Sequence, residues 1–282
     1  MGIRALVAAA LLCASGLQPT AAVEPVPASL TAPPAAISSE LMARFGLQGL
    51  FARFGRSLAA SPRLQGIADE RFLAAWETAA VATFDAPELE NRLGLSVGGS
   101  LDAGEIGWLG GFSASALGVR VAGLEAATQA ISPAAQIGVV AKGQVLYLGL
   151  PEHRRGQLGE LMALTGAEIM FDMLGESLRG MAMGLRLAAA GDIEVPWSEI
   201  DADVARQLSG MKTSLTDATR AVLAYTYASL SDDELEAYLE FLRAPATRKF
   251  YAAATLAIGD ILRETMFGLG ETVAQRLRRV EI

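Results

Sequence analysis

The sequence predicts an all-α protein: two tandem, internally duplicated helical modules packed as a helical bundle. Three observations predict it. Ala, Leu, Glu, Arg and Met outweigh strand-favouring residues, and these side chains lose little rotamer freedom in a helix. Apolar residues recur at three- and four-residue spacing, which gives each segment one apolar face. Two blocks also recur in the same order. Glu40–Leu58 and Glu160–Leu178 are identical at nine of nineteen positions, 120 residues apart. Ser100–Ala122 and Ser229–Tyr251 match without a gap, 129 residues apart.

Met1–Ala22 has the layout of a secretory leader: Arg4, an apolar run Ala5–Leu17, then the small residues Thr20-Ala21-Ala22 before an expected cut ahead of Val23. The run is short of the ~20 residues needed to span a bilayer. Residues 23–38 are a Pro/Ala-rich tail, expected to be disordered. The first module is then 40–150, a connector 151–159, and the second module 160–282. Within the first module, a helix is expected over Glu40–Ala60, ended by Ser61-Pro62. A second covers Ala68–Phe84, a short one Asp85–Leu95, and Gly98-Gly99 marks a turn. Helix Ser115–Ile131 follows, and Ser132-Pro133 starts a short segment. Gln144–Leu150 is the one stretch that could be a strand. Arg155–Ala188 reads as a long helix, Gly191–Pro196 as a loop, Ser198–Gly210 and Thr216–Ala228 as helices, and Pro245–Arg279 as one long helix or two.

The sharpest local signal is in Ser229–Tyr251. Ser231 and Glu234 form a capping box, in which the hydroxyl accepts from the Glu234 amide and the carboxylate reaches back to the Ser231 amide. Leu230 and Leu235 have staple spacing, and Asp232 and Asp233 place negative charge where the helix dipole favours it. Leu235, Tyr238, Leu239 and Leu242 make an apolar face that Phe241 widens. Pro245 cannot continue the helix but suits the first position of the next. The first module repeats this plan: Leu101, Asp102, Glu105, Ile106 and Phe112, then Ser115, Gly118 and Arg120, the last aligned with Lys249.

Composition excludes several chemistries. Cys13 is the only cysteine and leaves with the leader, so the mature chain has no disulfide, zinc–thiolate site or cysteine nucleophile. Leu12 before Cys13 does not suit a lipoprotein site. His153 is the only histidine and reads as a solvated residue of a polar connector. Net charge is −8, and the mature chain carries 22 basic against 31 acidic residues, which argues against nucleic-acid or anionic-membrane binding. Arg154-Arg155 reads as a solvated helix end. No mature segment reads as transmembrane, and Pro133–Leu150, apolar but carrying Gln136, Lys142 and Gln144, reads as buried. Gly98-Gly99 and Gly110-Gly111 lack the strand–loop–helix setting of a nucleotide fingerprint. No catalytic, cofactor or metal set is expected.

Leu230-Ser231-Asp232-Asp233-Glu234-Leu235, Phe241 and Ala244-Pro245-Ala246-Thr247-Arg248-Lys249 together resemble the C-terminal module of a bacterial periplasmic family called domain of unknown function, number twenty fifty-nine. That family's pattern is Leu-Ser/Thr-x-x-Glu-Leu, then Phe-Tyr, then Ser-Pro-x-Gly-x-Lys. Leu242, Ala244 and Thr247 depart from it in the second copy. The first copy keeps Ser115, Gly118 and Arg120 but has Ala116 for the proline. The resemblance implies an all-helical exported protein and no particular activity.

The functional expectation is a periplasmic or secreted, non-enzymatic interaction or accessory protein of the cell envelope, with an envelope protein or an apolar ligand as partner. Two alternatives have residues to stand on. Met162, Met170, Met173, Met181 and Met183 could line a groove for an apolar ligand or lipid, or hold Cu(I). Glu105 and Glu234 could serve a carboxylate-dependent envelope hydrolase, although the capping boxes explain both.

Overall fold

A computed structural model of the chain describes residues 41–45, 47–64, 68–84, 86–131, 133–165, 175, 179–182 and 197–279. The leader, the Pro/Ala-rich tail and the Gly191–Pro196 loop lie outside the described residues. Among those described there is no strand. Ten helices of twelve or more residues follow in order: α1 Leu50–Leu64, α2 Glu70–Thr83, α3 Ala86–Gly99, α4 Ala103–Ala114, α5 Ala116–Gln129, α6 Pro133–Gly149, α7 Glu152–Leu164, α8 Trp197–Thr226, α9 Asp232–Arg243 and α10 Pro245–Arg279. The all-α bundle expected from composition is what forms.

Several boundaries differ from the sequence expectation, each for a local reason. The helix expected over Glu40–Ala60 is interrupted between a helical turn at 41–44 and α1, and Gly49, immediately before α1, adopts φ +75°, a left-handed conformation that a continuous helix does not contain and that L side chains rarely take. Pro62 does not end α1 but lies inside its last turn. Proline has no N–H to give the carbonyl four residues back, and here the indole of Trp76 on α2 donates to that Leu58 carbonyl at 2.7 Å. The missing bond is thus replaced from a neighbouring helix. Gly98 and Gly99 close α3 and lead into the expected turn, where the Leu101 amide donates to the Gly98 carbonyl at 3.4 Å. Of Gln144–Leu150, all but Leu150 is helical, the end of the 17-residue α6. The connector expected at 151–159 is mostly helix, since α7 starts at Glu152 behind the N-cap Pro151. The two helices expected around Gly210–Thr216 are one continuous 30-residue α8, and α10 is a single helix of 35 residues.

Helices from the two halves share one core. α10 lies against α2, α3 and α4 from the first half as well as α9, while α6 lies along α8. Phe51, Leu58, Leu93 and Leu109 pack in the same buried cluster as Leu161, Leu235, Leu239, Phe250 and Leu269. The α6–α8 contact is close: a Cβ at Gly143 would sit 1.9 Å from the Ala221 carbonyl oxygen, so only glycine fits. α6 itself is buried on one face only. Ile137, Val145 and Leu148 are 78%, 73% and 70% exposed, which corrects the reading of this helix as fully buried.

In the first repeated block, Leu41 and Met42 are helical and buried, and so are Leu161 and Met162. Most of the second copy beyond Thr165 lies outside the described residues.

Candidate functional site

The twelve residues that sequence reasoning singled out come together as two helix–turn–helix corners. α4 and α9 have the same length and begin 129 residues apart; α5 and α10 each start after a single linking residue. Each corner opens as expected. Asp102 accepts from the Glu105 amide at 2.8 Å, and Glu105 accepts from the Asp102 amide at 2.8 Å. Ser231 accepts from the Glu234 amide at 3.2 Å, and Glu234 from the Ser231 amide at 2.8 Å. The staple residues Leu230 and Leu235 are buried, and Leu101 and Ile106 pack partly buried on the same core.

The corners turn alike. Ser115 and Ala244 are both extended, and their amides donate to the carbonyls of Phe112 and Phe241 at 2.9 and 3.2 Å. The Ser115 hydroxyl then caps α5 through the Gly118 amide at 3.0 Å. Pro245 takes the first position of α10, where its missing N–H has no helical partner to lose. The first turn is the tighter one. A Cβ at Gly118 would lie 2.0 Å from the Phe112 carbonyl oxygen, whereas the matching position 247 holds a buried threonine.

What the sequence did not disclose is that the corners face each other and exchange partners. Lys249, from the second corner, donates to both oxygens of Glu105 in the first, at 2.9 and 2.8 Å. Arg120, from the first, pairs with Glu234 in the second and donates to the Ser229 carbonyl at 2.6 Å. Between these pairs the Phe112 and Phe241 rings stack with centroids 3.7 Å apart and planes 8° apart. Trp108 donates to Thr247 at 3.2 Å across the same contact. The contacts are reciprocal, as in an isologous interface between two copies.

The electrostatics suit a clasp better than an acid catalyst. The Lys249 ammonium, followed by the Asp102 amide, holds the Glu105 carboxyl below its ordinary range. The Ser231 amide, then Arg120, does the same for Glu234. Both groups stay ionised at neutral pH and have no proton to deliver, whereas a general acid needs a raised pKa.

Beside this clasp lies a buried arginine. The Arg154 side chain is 7% exposed and donates to the Tyr227, Leu230 and Ser231 carbonyls at 3.1, 2.7 and 3.0 Å and to Asp232 at 2.9 Å. Its sequence reading as a solvated helix end is therefore corrected. These carbonyls belong to the connection between α8 and α9, where Tyr227 and Ser231 each also accept a backbone amide, and the guanidinium supplies further donors to this turn. His153 lies in the first turn of α7 rather than a loop, with Nε2 2.5 Å from an Asp232 oxygen, and it stays exposed. That contact, ahead of Arg154, holds the Asp232 carboxyl below its usual range.

A second cluster went unforeseen. Glu125 of α5 receives the Tyr227 hydroxyl at 2.5 Å and the Tyr238 hydroxyl at 3.3 Å. The residue as a whole is half-buried, yet its carboxylate is enclosed, and burial pushes it above its ordinary range. Burial likewise raises Tyr227, Tyr238 and the neighbouring Tyr251. One sequence signal pointed here: Glu125 is the only acidic residue of α5, and the aligned position in α10 is Ala254.

The remaining candidates are less persuasive as sites. Met162 and Met181 are buried in the interior, while Met170, Met173 and Met183 lie outside the described residues. Among the described residues no group of three His, Cys, Asp or Glu side chains could hold a metal ion. A cleft of about 210 Å³ lies between Met42, Leu47, Gln48, Pro87, Glu90, Asn91, Gly94 and Leu95. It is smaller than the ~300–1,000 Å³ usual for small-molecule sites. Among the described residues no helix is long and apolar enough to cross a membrane. No family model, curated protein or solved structure matches the chain.

Proposed function

We propose that this chain is an exported, non-enzymatic helical protein of the cell envelope that binds a protein partner through the outer face of α6. The observation that carries the reading is the exposed stripe Ile137, Ala141, Val145 and Leu148, with its three large side chains at least 70% exposed. The spacing of four, four and three residues keeps these on one side of the helix. Large apolar side chains standing together in water favour being covered. Lys142 is the only charged residue of α6, so the surface suits an uncharged, apolar partner face and offers little to an acidic or basic one.

Export to the periplasm rests on the leader-like Met1–Ala22. The tandem duplication rests on the matched blocks, and the equal lengths and reciprocal contacts of the two corners support it. The kinship with domain of unknown function, number twenty fifty-nine, rests on the motif residues alone. No observation favours the ligand-carrier alternative over this reading. The hydrolase alternative is weakened because Glu105 and Glu234 are each held by a cap and an ion pair.

A photocrosslinker in place of Val145, activated in the host envelope, tests the proposal. One defined protein adduct is expected, and it should vanish on Leu148→Asp while the thermal transition stays in place. Monomer alone would contradict the proposal. Adducts to lipid alone would replace it with the carrier reading.

A further inference from the structure

The α5 seam joins helices from both halves through polar groups. Thr226 donates to Thr128 at 3.1 Å, with both residues buried, and one turn away Tyr227 and Tyr238 converge on Glu125. Among the described residues both hydrogen bonds to Glu125 come from neutral phenols, and no cation pairs with it. Among the described residues, the ionisable groups on the surrounding helices turn elsewhere. Glu105 of α4 faces Lys249, and Arg120 of α5 itself faces Glu234. On α9, Asp232 faces Arg154 and His153, and Glu236 faces Arg243. Asp233, Glu240 and Arg243 are exposed to solvent. On α8, Asp217 pairs with Arg220. α10 contributes Tyr251, a third phenol.

We infer that Glu125, Tyr227 and Tyr238 form a proton-sensitive latch, which holds α5 against the α8–α9 corner while Glu125 is protonated and loosens as it ionises. The chemistry is one proton passing from the Glu125 carboxyl to water. The neutral acid accepts the two phenols at little cost. The carboxylate must forgo hydration for two neutral donors, so exposure to water favours the ionised form. An acid whose folded pKa lies above its unfolded value stabilises the fold below the unfolded pKa, and that stabilisation is lost as pH rises through the folded pKa. The seam is therefore tightest below the ordinary carboxyl pKa and weakens as pH rises through the raised one. The tyrosines shift in the same sense but release protons only in strong alkali. Because Arg120 rides on the same helix, loosening α5 also slackens its pair with Glu234.

Amide hydrogen exchange of the intact protein, corrected for intrinsic rates and followed upward from below the ordinary carboxyl range, tests the latch. In the native chain, protection along α5 should fall severalfold as pH rises, while α2 is unaffected. Glu125→Gln keeps an acceptor for the phenols but has no proton to lose, so its α5 protection should stay flat. An infrared band from a buried protonated carboxyl should be present in the native chain in mild acid and absent in Glu125→Gln. If the Gln variant does not fold, Tyr238→Phe serves instead. Losing one donor to the carboxylate should move the midpoint to higher pH. Equal pH profiles in native and Gln chains, or a Tyr238→Phe midpoint unmoved or moved down, would overturn the latch.

Discussion

The two corners share a frame and differ in what they show to solvent. Both have the capping glutamate, the stacked phenylalanine, a one-residue break and a basic residue at the same distance. Yet where α9 carries Asp232, Asp233, Glu236, Glu240 and Arg243, the aligned positions of α4 carry Ala103, Gly104, Gly107, Gly111 and Ala114. The α9 charges are largely engaged: Asp232 with Arg154 and His153, Glu236 with Gln157 and Arg243, and Arg243 with Glu160. The α4 positions are all exposed, and a Cβ added at Gly107 or Gly111 would meet nothing within 4 Å. The lesson is a separation of roles. The shared residues build and join the corners, and the unshared ones decide what each surface presents.

Five substitutions can break that comparison. Phe241 is buried in the stack, so Phe241→Ala should lower unfolding stability by about 3–5 kcal/mol, with Phe112→Ala, half-buried, costing less. Chemical denaturation of both variants measures the difference, and equal losses would remove the asymmetry between the corners. Gly118→Ala should cost about 1–3 kcal/mol, because the added methyl meets a backbone carbonyl that cannot rotate away. Thr247→Ser keeps the hydroxyl that Trp108 uses and should cost less than Gly118→Ala. Gly107→Ala should go the other way, raising stability by about 0.5–1 kcal/mol, since the methyl enters open space and restrains the unfolded chain. A loss there would mean that α4 is packed against something unseen.

The weakest expected effect lies in the charges, and it has a sign to check. Glu105 and Glu234 are held below their ordinary pKa, so their contribution is present above the unfolded value and fades as pH falls through the folded one. Glu125 is raised and behaves oppositely. Thermal unfolding against pH should show Glu105→Gln flattening the acid limb of the profile and Glu125→Gln the limb toward neutrality. High salt should erase the first effect, because those carboxylates are at the surface, and leave the second.

The helices and corners were legible because their determinants are local. A capping box needs residues three apart, and a break needs one proline or one extended residue. The partner exchange was not legible, because Glu105 and Lys249 are 144 residues apart and Arg120 and Glu234 are 114 apart. Each is an ordinary surface charge until the chain is folded. Pro62 misled for a related reason: the indole that replaces its missing bond comes from Trp76 in another helix. Arg154 reads as polar and solvated in sequence, and only the carbonyls of the α8–α9 connection, more than 70 residues away, explain its burial. Glu125 was hidden because its two donors sit 102 and 113 residues away.

The central claim is that the repeated motif is a two-sided clasp whose halves complete each other. A double-mutant cycle on Phe112→Leu and Phe241→Leu, read by equilibrium denaturation, tests it most directly. Rings stacked with centroids 3.7 Å apart should be coupled by about 0.5–1.5 kcal/mol beyond the sum of the single effects. Additive losses, with no coupling, would show that the two corners do not meet and would contradict the account.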